Sequence, residues 1–297
     1  MTVPILFGVS VAVFMLVHLL PGDPVMLMLR GTGASPEQMD DLRHQLGLDQ
    51  PLVEQYLHFM ERAVRGDFGR SIRTNVVVLR EIGNGFPDTL KLTVAGMTVA
   101  MVFGFGLGIL AALRQRTWLD SSAMIVALFG VAMPNYLIGI LLIYLFALKL
   151  HWLPATGQGG VDRLLMPAIA LGWGYAAIIA RLVRANLAEV MRREFVLTAR
   201  AKGLSGRSVV YRHALKNALI PVVTMLGLQF GNMLSGAVVV EALFARRGIG
   251  NLLVHGILDR DFPMVQAIVL ILATIYVIVN LVVDLSYGLL DPRIRYG

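Results

Sequence analysis

The stretch Glu194-Phe-Val-Leu-Thr-Ala-Arg-Ala-Lys-Gly203-Leu-Ser-Gly-Arg-Ser-Val-Val-Tyr-Arg-His-Ala-Leu-Lys-Asn-Ala-Leu-Ile-Pro221 is basic and rich in small residues. It lies between two apolar runs long enough to cross a bilayer. Phe195 to Lys202 reads as a helix, with Gly203 suited to the left-handed position that ends it and Leu204 as the apolar residue that follows. Ser205 can cap a second helix running through Val209, Val210, Tyr211 and Ala214 toward Pro221. Helix, glycine, helix is a shape that fits a groove, because Ala199, Ala201 and Gly203 let another surface come close. The alternative is a solvated loop that holds positive charge at one face of a membrane.

Outward from that segment, composition decides the class. Hydrophobic residues make up 57% of the 297, charged residues 15%, and the mean hydropathy is +0.71. Such a chain matches lipid better than a single aqueous core. The net charge of +7 could suggest nucleic acid. The basic residues, however, fall largely beside apolar runs and form no aromatic-interleaved face, so nucleic acid is not expected. There is no cysteine, hence no disulfide framework, thiol nucleophile or cysteine metal site.

Taken in order, residues 1–21 read as a first span, apolar from Thr2 to Leu20, with no basic start or small-residue cleavage site. Pro21-Gly-Asp-Pro24 breaks it. Residues 22–87 form a mostly polar, nearly neutral insert with short amphipathic helices over Glu37–Leu46 and Pro51–Val64. It reads equally as a structural cap or as a docking surface.

Further spans are expected at 89–113, 121–148, 164–183, 218–240 and 264–288, with the segment 190–217 between the fourth and fifth and a tail at 290–297. Gly96, Gly104, Gly106 and Gly108 in the second predict close helix packing. Pro134 and Asn135 lie at mid-depth in the third and mark either a kink or part of a pathway. Gln229, Asn232 and Gly236 share one side of the fifth, where polar groups need a cavity or a helix contact. Asp284 could pair with Arg181 or Arg184. Of the 26 Lys and Arg, 13 fall at 114–116, 181–216 and the tail. The positive-inside rule then puts the N-terminus, the 190–217 segment and the C-terminus in the cytoplasm.

Some chemistry is missing. None of the four lysines (91, 149, 202, 216) follows a glycine, so there is no phosphate-binding Gly-Lys-Ser/Thr loop. If ATP drives this protein, another polypeptide binds it. Gly8-Val-Ser10 only faintly echoes an intramembrane serine protease. A secondary transporter would want ionisable groups at mid-membrane, and the spans hold almost none.

Thr198, Ala199, Arg200, Ala201, Lys202, Gly203 and Leu204, followed by His213-Ala-Leu-Lys-Asn-Ala-Leu-Ile-Pro221, resemble the cytoplasmic coupling loop (the EAA loop) of ABC importer permeases. More narrowly, they are similar to the first permease subunit of the dipeptide/oligopeptide/nickel family. Leu197 departs from the general motif, which opens with Glu six residues before the glycine. Pro21–Pro24, Leu46–Tyr56, Gly66–Ser71, Glu241–Pro263 and the tail are similar to the same family.

The resemblance implies an all-α polytopic membrane protein with six transmembrane helices, the MetI-like fold of type I importers, and an extracytoplasmic insert between spans one and two. It implies a permease for di- or oligopeptides, with nickel chelates or glutathione as alternatives, in a bacterial or archaeal plasma membrane. The implied partners are a second homologous permease, two ATPase subunits that bind ATP and Mg, an external substrate-binding protein and lipid. No cofactor or metal site is expected in this chain.

Overall fold

A computed structural model describes residues 2–19, 25–26, 35–45 and 47–290. The expected break at Pro21–Pro24 and the tail after Leu290 lie outside them. Among the described residues the chain is helical, and its one strand-like feature is an isolated antiparallel bridge, Arg70 to Val77.

The helices are α1 Thr2–Leu19, α2 Pro36–Gln45, α3 Leu52–Val64, α4 Val78–Leu113, α5 Trp118–Ala132 and α6 Asn135–Leu142. A π-helical turn over Ile143–Lys149 continues α6. Next come α7 Val161–Val190, α8 Glu194–Ala201 and α9, which joins Gly206–Ser208, the π-helical Val209–Ala214 and Leu215–Ala218. The chain closes with α10 Ile220–Leu243, α11 Ile249–Leu258 and α12 Phe262–Leu290.

Four described helices are long and apolar enough to cross a membrane: α4, α7, α10 and Phe262–Val283 of α12. A fifth crossing is reached if α5 and the α6 run count together, but these meet at a bend of 105°. The apolar run of α1 within the described residues, Val3–Met15, is shorter than a crossing. The described helices therefore give four or five spans where the sequence suggests six.

The chain forms two compact units. The first holds Met1–Pro87 and Gly248–Val277. Here α4 starts at Val78, ahead of the span start expected at 89, because Val78, Ile82 and Phe86 recur at helical spacing. They pack with Ile249, Met264, Ala267 and Ile268. Asp261, 2% exposed, fixes the loop before α4: it accepts the Ser71 hydroxyl and the Ile72 amide at 3.2 Å. In the Gly66–Ser71 motif, the Gly69 amide and then Arg62 hold the Asp67 carboxyl below its ordinary pKa.

The second unit holds Asp88–Arg247 and Ile278–Gly297, and α7 is its hub. Helices α5, α6 and α10 all pack on α7. Small residues bring the backbones close. A Cβ on Gly104 would stand 2.7 Å from Ile179, one on Gly108 2.7 Å from the Ala180 carbonyl, and one on Gly172 2.3 Å from the Gly96 carbonyl. Gly106, expected to belong to the same packing set, has nothing within 4 Å and lies off the seam.

Candidate coupling surface and pathway

Arg193 enters α8 in an extended conformation, and the helix stops where the sequence predicts. Gly203 has φ +76°, its amide donates to the Arg200 carbonyl at 2.9 Å, and the Leu204 amide donates to the Ala199 carbonyl at 3.3 Å. Those two bonds satisfy carbonyls that the helix end would leave open. Ser205 then caps α9, its hydroxyl accepting the Ser208 amide at 3.3 Å.

The pair of short helices has an inside and an outside. Val196 and Ala199 of α8 pack with Val209, Ala214 and Ala218 of α9, with Leu187 and Val190 at the end of α7, and with Ala112 at the end of α4. Ala199 therefore supports the hairpin from within, 7% exposed, and is not part of the open surface the sequence suggested. An eight-residue helix must bury one face to hold its position, and Val196 and Ala199 lie three apart on that face. Thr198, Arg200, Ala201, Lys202, Gly203 and Leu204 are all exposed. Around them Phe195, Leu197 and Tyr211 stay open beside Arg192, Arg193, Arg207 and Arg212. Glu194 and Glu189, the latter paired with Arg193 at 2.9 Å, are the acids at this rim, which is otherwise basic. An apolar patch with a mainly basic rim has the composition of a protein-binding surface.

The same end of this unit carries an ion pair that sequence reading missed. Asp120, in the first turn of α5, accepts Arg184 Nε at 2.5 Å and Nη2 at 2.8 Å, and the Arg116 amide at 3.1 Å. Asp284, expected as a possible partner of Arg181 or Arg184, has its side chain outside the described ones. Asp120 and Arg184 are 64 residues apart, so no local spacing could reveal them. Asp120→Ala should destabilise the protein by about 1–3 kcal/mol, since Arg184 loses its fork partner but is 36% exposed and regains some water. A thermal midpoint in detergent reads the loss, and adding Arg184→Met should recover part of it. An unchanged midpoint in Asp120→Ala would show the pair contributes nothing.

At the opposite end of the unit, the loop after α6 and the turn after α10 hold each other. The Gly157 amide donates to the Phe244 carbonyl at 3.0 Å, and the Arg247 amide to Gln158 Oε1 at 3.1 Å.

Between these ends lies the break at Pro134. Pro134 has ψ 144°, which interrupts the helix, and Gly139 past it sits tightly against Leu243 at the end of α10 and Phe244 just after it. What reads from sequence as a kink is therefore a sharp corner. It brings polar groups of two helices beside Gly236 of a third. Around the position a Cβ on Gly236 would take, Tyr175 Oη lies at 3.5 Å and Asn135 Nδ2 at 3.7 Å. Tyr175 was not singled out from sequence, although a tyrosine inside an apolar run usually seeks a polar partner for its hydroxyl. Gln229 is buried two turns below Gly236 on α10, and Asn232 is exposed. The structure thus joins Asn135 with Gly236 and Tyr175, and leaves Gln229 and Asn232 outside that cluster. Among the described residues no group of three or more His, Asp or Glu is placed to hold a metal.

Residues 104–296 match the family described as "Binding-protein-dependent transport system inner membrane component". Residues 1–93 match the N-terminal part described as "Binding-prot-dependent transport system membrane comp, N-term". The chain is similar to the glutathione transport system permease protein GsiC of Escherichia coli strain K12. The two are 44% identical over 294 residues, covering 99% of this chain and 96% of that one. GsiC of Shigella flexneri serotype 5b matches at the same identity and coverage.

Among solved structures, an inward-facing form of the MetNI methionine ABC transporter shares the fold at TM-score 0.59. It is 18% identical, over 71% of this chain and 96% of that one. An amino acid ABC transporter with histidines does so at TM-score 0.54 and 17% identity, over 72% of this chain and 94% of that one.

Proposed function

The chain belongs to the family of binding-protein-dependent transport system inner membrane components, and from that premise we propose a substrate class, a coupling route and an orientation for it. Membership makes it a polytopic permease subunit of an ABC importer, not an enzyme. Such a subunit works with an ATPase and a substrate-binding protein. Our reading adds a second, homologous permease, two ATPase subunits that bind ATP and Mg, and one binding protein outside.

The observation that carries the coupling route is the exposed face around Gly203, held from behind by Val196 and Ala199. Thr198, Arg200, Ala201, Lys202, Gly203 and Leu204 dock on the ATPase, with Ala199 supporting them. Closure of the ATPase dimer on ATP then moves α8 and α9. Leu187 and Val190 of α7 pack in the same cluster, so that motion reaches the hub of the bundle. Asn135, Tyr175 and Gly236 sit where α6, α7 and α10 converge and form part of the pathway. Asn232 is open on α10, where lipid would penalise a bare amide, so a second permease or the pathway covers it. The basic end with α8 and α9 faces the cytoplasm, together with both termini, and residues 22–87 lie outside.

The cargo is a short peptide. Glutathione, itself a tripeptide, is the first candidate because the permeases similar over nearly the whole chain are named for it. Dipeptides and nickel chelates are the competing cargoes. The test is uptake into proteoliposomes holding the complete importer, with each labelled cargo offered in turn. Glutathione should accumulate only with ATP and binding protein, and should do so in the presence of a protonophore. Accumulation driven by a proton gradient without ATP would sink the mechanism, and ATP-driven uptake of nickel chelate in preference to peptide would change the cargo alone.

A further inference from the structure

Helix α3 was expected to be part of a water-exposed insert, yet it has three distinct faces. One is aromatic and packs on α1: Tyr56 meets Phe14 edge-on at 5.5 Å between centroids, Phe59 lies 6.0 Å from Phe14, and the Tyr56 hydroxyl bonds Ser10 at 2.8 Å. A second is polar. Gln55, His58 and Arg62 line a cavity of about 950 Å³ that also holds His18, His44 and Arg70. The third is apolar and open. Val53, Leu57, Met60 and Val64 are spaced four, three and four residues apart, which places them in one stripe. Val53 is 70% exposed, Leu57 60% and Val64 82%.

At about 100° per residue, the stripe lies nearly opposite the cavity-lining side, with the α1 contact between them. That order, water above, protein beside and an apolar face below, is the arrangement of a helix lying in a membrane interface. The depth agrees. Helix α3 meets α1 at Phe14, seven residues before Pro21, where the sequence breaks the apolar run, and seven residues rise roughly 10 Å along a helix. Interfacial helices bury their apolar side roughly 5–10 Å into the boundary of headgroup and acyl chain.

We propose that α3 lies in the outer leaflet with Val53, Leu57, Met60 and Val64 in contact with lipid, so that the start of the insert is membrane-embedded and the cavity lined by Gln55, His58 and Arg62 opens just above the bilayer surface. This rests on the topology proposed above, in which residues 1–21 span and residues 22–87 lie outside.

The chain has no cysteine, so an introduced cysteine is the only one in this subunit, and its labelling is read on this subunit's band after the complex is separated. Val53→Cys, Leu57→Cys and Val64→Cys probe the stripe, and Glu54→Cys and His58→Cys probe the polar side. All five positions are exposed, so folding is not put at risk. In the complete importer in proteoliposomes, an impermeant maleimide should label the stripe at least tenfold more slowly than the polar side. A fluorophore at Leu57→Cys should be quenched by lipids carrying a nitroxide near the headgroup.

Equal labelling of both sides would overturn the lipid contact. Slow labelling without nitroxide quenching would overturn it too, since a protein would then be the cover. Labelling of Glu54→Cys and His58→Cys only from the ATPase side would instead overturn the topology, and the outer-leaflet placement with it.

Discussion

Gly172→Val is expected to remove most folded protein from the membrane. A Cβ at this position would stand 2.3 Å from the carbonyl oxygen of Gly96 and 3.2 Å from Val99. The first of these is a backbone atom inside α4 and cannot swing aside. Valine adds two methyl groups to that clash, so α4 and α7 must separate. Overpacking a core costs about 1–3 kcal/mol when side chains can adjust, and a backbone clash belongs at or above the upper end.

Helix α7 also carries α5, α6 and α10, and Leu171 beside the site is fully buried in the main cluster. In lipid, close van der Waals contact is most of what holds helices together, so a separated pair has little to bring it back. Gly106→Val is the control, because nothing lies within 4 Å of that glycine. The measurement is the monodisperse yield in detergent. A normal yield for Gly172→Val would mean that the α4–α7 seam is looser than its geometry indicates.

What could be read from sequence was whatever local spacing or a long apolar run encodes. The end of α8 at Gly203 was legible because a positive φ there needs glycine and because Leu204 and Ser205 follow in the order a helix stop and a helix cap require. Which face of α8 turns inward was not. Ala199 and Ala201 look alike as residues, and only the position of α7 and α9 decides that Ala199 is covered.

The break at Pro134 was legible as a break, but its angle is set by Gly139 seating on α10, a hundred residues further on. The early start of α4 was encoded at Val78, Ile82 and Phe86, and was obscured by Pro87, which α4 accommodates inside the helix. The Asp120–Arg184 pair and the Asn135–Tyr175–Gly236 cluster are products of packing between distant helices. So is the lipid-facing stripe on α3, whose pattern is visible in sequence while its inside and outside are not.

Gly203→Asp is expected to leave the protein folded in the membrane and to abolish coupled transport. The glycine has φ +76° and no atom within 4 Å of an added Cβ, so the substitution meets no steric obstacle. Its cost to folding is the left-handed conformation itself, of order 1 kcal/mol, and aspartate tolerates that region better than most residues. The cluster that holds α8, built on Val196, Val209, Ala214 and Leu187, is not touched.

The damage comes from charge. If this turn lies flush against the ATPase, a carboxylate there is buried without a partner, at a cost of about 3–5 kcal/mol. That is a factor of more than a hundred in association at ~1.4 kcal/mol per decade. Gly203→Asn separates the two effects: it places a similar side chain at the same φ without the charge, and should keep most of the coupling. Lys202→Ala should be milder still, since a charge at the rim of a contact mainly tunes the rate of association.

The measurements are co-purification with the ATPase subunits and ATP hydrolysis stimulated by loaded binding protein. Gly203→Asp should lose both while its membrane yield holds. A Gly203→Asp protein that keeps its partners and its stimulation would show that this segment only anchors charge at the membrane surface. The exposed patch of Phe195, Leu197, Leu204 and Tyr211 would then need another partner to explain why water is left against it.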